Sequence, residues 1–328
     1  MKNNVIVTGG AGYIGSHACK ALKKSGYNPI TIDSLCTGWL DSVKFGPIEK
    51  VNLLDLEKLN EIFLKFKPVS IMHFAAFSQV GESIKEPEKY WRNNLVGSLN
   101  LIKTAISHNC LNFVFSSTCA TYGDQDGVLI NESTPQYPKN AYGASKMAVE
   151  QMLQQFSVSS GLKYVIFRYF NVAGADPDGE IGEFHLPETH LIPMVLDTIM
   201  GKRDFISIFG TDYNTHDGTC IRDYVHVCDL IDAHILGMKW IETKGINRIY
   251  NLGTGKGFSV REVIKHVQKV TNKNITVLED DRRSGDCTRL VSSSQLIKKE
   301  LGWNPLRSNL DEMIKDAWRW HKKGLYLK

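Results

Sequence analysis

Val5-Ile6-Val7-Thr8-Gly9-Gly10-Ala11-Gly12-Tyr13-Ile14-Gly15 decides the fold. A short β-branched run favours a strand, and the glycines after it allow a sharp turn into a helix that runs to about Ser25. The spacing reads G-x-x-G-x-x-G from Gly9 and G-x-G-x-x-G from Gly10. In a strand–turn–helix setting, such glycines let the backbone approach a pyrophosphate, whose charge the helix N-terminus stabilises. The next strand, Pro29-Ile30-Thr31-Ile32-Asp33, ends on a carboxylate 18 residues after Gly15. A carboxylate there accepts hydrogen bonds from adenosine ribose hydroxyls and repels a 2′-phosphate. Ser34, Leu35, Cys36 and Thr37 include no arginine to welcome one. The pattern predicts NAD rather than NADP.

The alternation continues with helix 56–66, strand 69–74, helix 88–108, strand 112–116, helix 141–160 and strand 163–170. Strands alternating with helices imply right-handed crossovers and a buried parallel sheet. The expected class is α/β, a doubly wound parallel sheet of the Rossmann type. After Asn171 the rhythm breaks, and 172–190 reads as a long loop. Helices 191–201, 227–241, 259–270, 293–301 and 309–322, with strands 206–209 and 247–252, complete a smaller mixed α/β domain. The expected division is 1–175 for the dinucleotide domain and 176–328 for a substrate domain, with about 225–255 packing back onto the sheet.

Composition narrows the function classes. The chain has 328 residues, 42% hydrophobic, with a net charge of +4 and no run of five like charges. Nothing points to nucleic acid or a membrane surface. The start of the chain lacks a signal-peptide pattern, and no apolar run approaches the ~18 residues of a membrane span. Seven scattered cysteines without a C-x-x-C pair suggest reduced thiols, a cytoplasmic setting and no zinc site. His216, His226 and His234 show no ligand spacing, so no metal is expected.

The chemistry is expected at Tyr142-Gly143-Ala144-Ser145-Lys146, at the start of a proline-free helical stretch. Residues four apart share a helical face, so the Tyr142 phenol and the Lys146 ammonium lean the same way. A cation about 4 Å away favours a phenolate by roughly 4 kcal/mol at an effective dielectric near ~20. Bringing a phenol from a pKa of about 10 to about 7 takes ~4 kcal/mol. Lys146 is one such cation, and an oxidised nicotinamide would bring a second.

These residues resemble the extended short-chain dehydrogenase/reductase superfamily, and within it the UDP-glucose 4-epimerases. The N-terminal marks are Val7 to His17, His73-Phe74-Ala75-Ala76, Phe115-Ser116-Ser117-Thr118 and Tyr122-Gly123. The narrowing marks are Arg168-Tyr169-Phe170-Asn171, Leu191-Ile192-Pro193, Tyr213 to Leu230 and Arg282-Arg283-Ser284-Gly285-Asp286. The resemblance implies reversible inversion at carbon 4 of UDP-galactose and UDP-glucose through a 4-keto sugar, with tightly bound NAD as transient hydride acceptor. Tyr142 would be the general base at the 4-hydroxyl. Lys146 would lower its pKa and bond the nicotinamide ribose, and the Thr118 hydroxyl would bond the same sugar oxygen.

For the cofactor, the resemblance implies Gly9, Gly12, Tyr13, Ile14, Gly15, Asp33, Ser34, Leu35, Cys36, Thr37 and Gly38. To these it adds Asn52, Leu53, Phe74, Ala75, Ala76, Ser78, Asn93 and Phe170. For the nucleotide sugar it implies Asn171, His190, Leu191, Ser207, Ile208, Phe209, Arg222, Arg283, Asp286 and Leu290. Two arginines suit a diphosphate, because the guanidinium fork matches phosphate oxygens. A homodimer through helices 88–108 and 141–160 is also implied.

The chain departs from that pattern at four places. Asn52 stands where an acid often meets the adenine, and Ser78 replaces a lysine found in some members. His190 replaces an asparagine. Leu290 stands where a bulky aromatic excludes N-acetylated sugars, which leaves UDP-N-acetylglucosamine open as an alternative substrate. A nucleotide-sugar dehydratase would need acid–base carboxylates after Thr118, where Cys119-Ala120-Thr121 stand instead. A non-catalytic NAD-binding protein would have no use for Thr118, Tyr142 and Lys146 together. Cys119 has no histidine partner in sequence, and His73 reads as structural.

Overall fold

A computed structural model describes residues 3–125, 129–283 and 286–324; Ser284 and Gly285 of the arginine motif lie outside them. The strands are β1 (Asn4–Thr8), β2 (Asn28–Asp33), β3 (Ile48–Lys50), β4 (Ser70–His73), β5 (Asn112–Ser116), β6 (Lys163–Tyr169) and β7 (Asn171–Ala173). They continue as β8 (Ile206–Phe209), β9 (Ile221–His226), β10 (Arg248–Leu252), β11 (Gly257–Ser259), β12 (Val277–Asp280) and β13 (Arg289–Leu290). Among the described residues the largest sheet has seven strands in the order β10-β6-β5-β4-β1-β2-β3. All its pairings are parallel. Val5, Ile6 and Val7 are fully buried, as a strand covered by helices on both faces requires.

The order reverses between β1 and β4. A doubly wound sheet opens a crevice at the carboxyl ends of its strands at such a switch. The glycine loop after β1, Asp33 at the end of β2, Phe74–Ala76 after β4 and Ser117–Thr118 after β5 all sit at that edge. The helix Ala141–Ser160 starts on Asn140, whose side chain accepts the Gly143 N–H, and stops at Gly161 in a left-handed conformation. Its caps fix where Tyr142 begins the first turn.

Helix Val227–Lys244 packs Leu230, Ile231, Ala233 and Met238 into the same core as Val5 and Val7, and β10 joins the edge of the sheet beside β6. The remaining strands form two small sheets. In one, β9 lies between β11 and β13 and also pairs β7; in the other, β8 pairs β12. Among the described residues no helix is long and apolar enough to cross a membrane.

The helix expected over 88–108 is not uniform. It runs as Pro87–Tyr90, a π turn over Trp91–Val96, then Gly97–Ser107. Within the π turn, buried Asn94 accepts the Phe77 N–H and donates to the Phe77 carbonyl and the Ser145 hydroxyl. A wide turn serves a contact that a regular helix would misdirect. The short helix Val80–Lys85 and strands β3, β7, β9, β11, β12 and β13 have no counterpart in the sequence reading. Most are too short or too polar to show a hydrophobic period.

Candidate active site

The glycine loop is shaped by close approaches. Gly9 has φ +70°, and a Cβ there would meet the Ala75 backbone nitrogen at 2.7 Å; a Cβ on Gly15 would collide with the Gly9 carbonyl oxygen. At Gly12 the nearest atom to an added Cβ is the Gly9 carbonyl oxygen, at 3.3 Å. Gly12 opens the helix Tyr13–Lys24 with no side-chain cap and no acid in the first turn. The first-turn N–H groups and the positive end of the helix dipole are thus left for an anion, which is the fit a dinucleotide pyrophosphate requires.

Asp33 is nearly buried, and burial raises its pKa. One carboxylate oxygen accepts the Ala11 N–H at 3.0 Å and the other the Leu35 N–H at 2.8 Å. Each oxygen keeps capacity for a ribose hydroxyl. The turn that follows is pinned to the glycine loop: Trp39 N–H and the Ser42 hydroxyl both donate to the Ala11 carbonyl. A Cβ on Gly38 would meet the Ala11 Cβ at 2.9 Å. Ser34, Leu35, Cys36 and Thr37 form the rest of this turn, with Leu35 at φ +59°.

The Tyr13 hydroxyl donates to the Gly174 carbonyl, Ile14 and Phe74 pack against the sheet core, and Phe74 lies on the His234 ring. All three remain partly exposed beside the glycine loop and the end of β4. Ala75 and Ala76 follow β4 beside Gly9, while Asn52 and Ser78 are exposed and Leu53 is buried under Gly97. Asn93 donates to Asn94. Phe170 is buried with Tyr122 and Ile130, against Cys119 and Leu290.

Tyr142, Lys146 and Thr118 converge. All three are at most 9% exposed. The Lys146 ammonium donates to the Ser116 carbonyl at 2.8 Å and lies 4.7 Å from the centre of the Phe115 ring. Burial lowers its pKa to about 7, opposed by the carboxylate of Glu150. Burial pushes the Tyr142 phenol far up, with Tyr169 adding to the rise, while the Thr118 hydroxyl pulls it down. Desolvation dominates both groups, and Lys146 is not among the main influences on the phenol.

Around these three lies a buried layer that the sequence reading missed. Glu150, one turn beyond Lys146, makes a double bridge with Arg168, its nearest contact 2.6 Å. It also accepts from the hydroxyl of Ser117 and from Gln136. Arg168 donates to the Tyr122 hydroxyl, which donates to Asn251. Tyr90 stands edge-on to Tyr142, and Tyr169 bonds the Ser116 hydroxyl. The i+4 spacing from Lys146 to Glu150 was the one available signal. His73 is bonded at both ring nitrogens, to Thr8 and Ser98, and burial pushes the Cys119 thiol to about 12.

The second half of the site lies on the small sheets. Arg283 donates to Asp286 at 3.0 Å and covers the Phe209 ring. Arg222 donates to the Ile221 and Cys287 carbonyls and reaches Asp286 at 3.7 Å. Leu290 is in register with Arg222. On β8, Ser207 and Phe209 share the less buried face, whereas Ile208 is buried in the core and offers only its backbone. Asn171 pairs with Tyr224 on β9. His190 and Leu191 open the helix Leu191–Ile199, and the His190 ring is bridged to Glu183 and Glu188. Those two carboxylates raise its pKa to about 10 against the opposing effect of burial.

Residues 5–253 match the model of the NAD dependent epimerase/dehydratase family. A UDP-glucose 4-epimerase of Rhizobium meliloti (strain 1021) is 45% identical over 323 residues, 98% of each chain. The structure of a UDP-glucose 4-epimerase from Brucella ovis in complex with NAD superposes with a TM-score of 0.94 at 44% identity, covering 96% of this chain and 97% of that one. A UDP-glucose 4-epimerase from Bifidobacterium longum in complex with NAD+ and UDP superposes at 0.93 with 34% identity, covering 98% of both chains.

Proposed function

The chain belongs to the NAD dependent epimerase/dehydratase family, and within it to the UDP-glucose 4-epimerases; on that premise we propose how its residues divide the work. It is an isomerase that uses NAD and interconverts UDP-glucose and UDP-galactose. The observation that carries the residue assignment is the convergence of Tyr142, Lys146 and Thr118 at the strand ends beside the uncapped glycine loop.

When bound, NAD supplies a hydride acceptor for carbon 4 of the sugar. Its pyrophosphate would be held by the free first-turn N–H groups of Tyr13, Ile14 and Gly15, the Gly12 N–H being donated to the Gly9 carbonyl, and its adenosine ribose by Asp33. Tyr142 takes the proton of the 4-hydroxyl and later returns it, and Thr118 holds the same oxygen. Lys146, anchored by the Ser116 carbonyl, bonds the cofactor ribose and supplies positive charge. Arg222 and Arg283 hold the diphosphate, and Asp286 turns from the arginines to the uridine ribose. Binding energy from UDP would keep the 4-keto sugar in place while the hexose turns the other face of its carbon 4 to the site, where the hydride is returned to carbon 4 and the Tyr142 proton to its oxygen.

The division near residue 175, a homodimer through Pro87–Ser107 and Ala141–Ser160, and a cytoplasmic location belong to the same proposal. All seven cysteines are free thiols, which suits a reducing compartment. Replacing Arg283 by Ala removes one charge-assisted phosphate contact. It is expected to raise KM for the UDP-sugar by roughly 10- to 100-fold with kcat nearly unchanged; an unaltered KM in steady-state assays removes Arg283 from the site.

A second reading, acceptance of N-acetylated UDP-hexoses, rests on Leu290, which packs with Cys119 and Phe170 next to Thr118. Incubation with UDP-galactose or UDP-N-acetylgalactosamine, without added NAD, tests both readings by product identification. Conversion of the first supports the assignment, and no conversion of either overturns it. Preferential conversion of the second moves the substrate to the N-acetylated class.

A further inference from the structure

The loop between β7 and the helix Leu191–Ile199 carries Glu183-x-His185-x-x-Glu188-x-His190. We propose that Glu183, His185, Glu188 and His190 form a binding site for one divalent transition-metal ion of the zinc class. One ligand atom from each of the four lies within 4.8 Å of the others. His190 Nδ1 is 2.9 Å from Glu183 and 3.2 Å from Glu188, and His185 Nδ1 is 3.5 and 3.4 Å from the same two carboxylates. Zinc–nitrogen and zinc–oxygen bonds of about 2.0–2.2 Å place neighbouring tetrahedral ligands ~3.3 Å apart. Both histidines meet the same Glu183 oxygen near that edge length, and each meets one of the two Glu188 oxygens.

A separate feature points to a missing ligand. His185 Nδ1 is shielded from solvent and makes no hydrogen bond, although it faces two carboxylates. Buried polar atoms are rarely left so. The surroundings hold the donors in place: one Glu188 oxygen accepts the N–H groups of Thr189 and His190, and the Glu183 carbonyl accepts the Trp320 indole N–H. Such outer contacts orient metal ligands. Two carboxylates call for two positive charges, which two imidazolium protons or one divalent cation can supply.

The donor set decides the class. Two imidazoles and two carboxylates without thiolate suit zinc and its neighbours, whereas calcium and magnesium prefer oxygen alone. The nearby Asp176, Asp178 and Glu180 make a contrast, because the Lys20 ammonium already bridges all three at 2.6–2.8 Å. The expectation of no metal came from the cysteines and from His216, His226 and His234, and left the Glu–His loop unread. An ion here would staple residues 183–190 to the start of the helix that follows.

The test uses the full chain, stripped with a chelator and titrated with ZnCl2 by calorimetry, with metal content measured after desalting. About one zinc per chain is expected, and CoCl2 should give the intense visible bands of tetrahedral cobalt. His185→Ala and Glu188→Gln should each weaken zinc binding by at least roughly 100-fold, while His108→Ala, whose ring bonds Asn60, should bind as wild type. No stoichiometric zinc in the wild type, weak octahedral cobalt bands, or equal uptake by the His185→Ala/Glu188→Gln double variant overturns the site.

Discussion

Tyr142→Phe is expected to lower kcat by roughly 10²- to 10⁴-fold, the usual worth of a positioned acid–base group, while NAD and UDP remain bound. The substitution deletes one oxygen and keeps the ring that stands edge-on to Tyr90 at 6.4 Å, so packing around the helix start should hold. Its effect should therefore fall on turnover rather than on retention of nucleotide. Bound NAD measured by absorbance after denaturation, UDP affinity by calorimetry, and kcat on UDP-galactose separate these. A kcat within about tenfold of wild type would place the base on another residue.

The same experiment probes how the phenol is made basic. Burial raises Tyr142 and lowers Lys146 to about 7, so the buried protein alone works against a phenolate. A cation brought near the phenol lowers its pKa, and Lys146 and the cofactor's own positive charge are the groups available to do so. Replacing Lys146 by Met removes one of them, which leaves the phenol protonated to higher pH. The acid limb of the kcat profile should accordingly move to higher pH, and a limb that stays in place would show that Lys146 does not tune Tyr142.

Much of the fold was legible because its signals are local and repeated. The glycine loop, the acid at Asp33 and the strand–helix rhythm to Tyr169 each follow from residues adjacent in sequence. The helix Ala141–Ser160 has the predicted bounds, since Asn140 caps it and Gly161 ends it. Of the small sheets, only β8 (Ile206–Phe209) was legible. β9 is Ile-Arg-Asp-Tyr-Val-His, buried yet charged, and its Asp223 is satisfied by the Thr254 and Gly255 backbones, some thirty residues away. No period in a six-residue window reveals such a partner. For the site, the four-residue spacing located Tyr142 and Lys146 and the resemblance supplied Thr118, and the structure gathers the three at one place. It could not say that the side chain of Ile208 turns into the core. Nor could it reveal the Glu150–Arg168 bridge, which forms only when the strand and the helix pack.

That bridge is the place where a single change should cost the most stability. Glu150 and Arg168 are 1% and 4% exposed, so Glu150→Ala leaves a guanidinium buried without its counter-charge and strips partners from Ser117 and Gln136. Breaking one side of such a pair costs about 3–5 kcal/mol, a large share of an ordinary domain's stability. The double variant Glu150→Ala/Arg168→Met removes both charges and should recover much of the loss, because a buried pair replaced by apolar groups is often near neutral. Calorimetric melting of the three proteins at one NAD concentration is the measurement, since bound cofactor itself raises Tm. The loss should also reach the site: Glu150 favours the charged form of Lys146, so its removal leaves that ammonium easier to neutralise. A single variant that melts with the wild type, or a double variant no better than the single, would mean that the charge pair does not hold the strand end beneath Thr118.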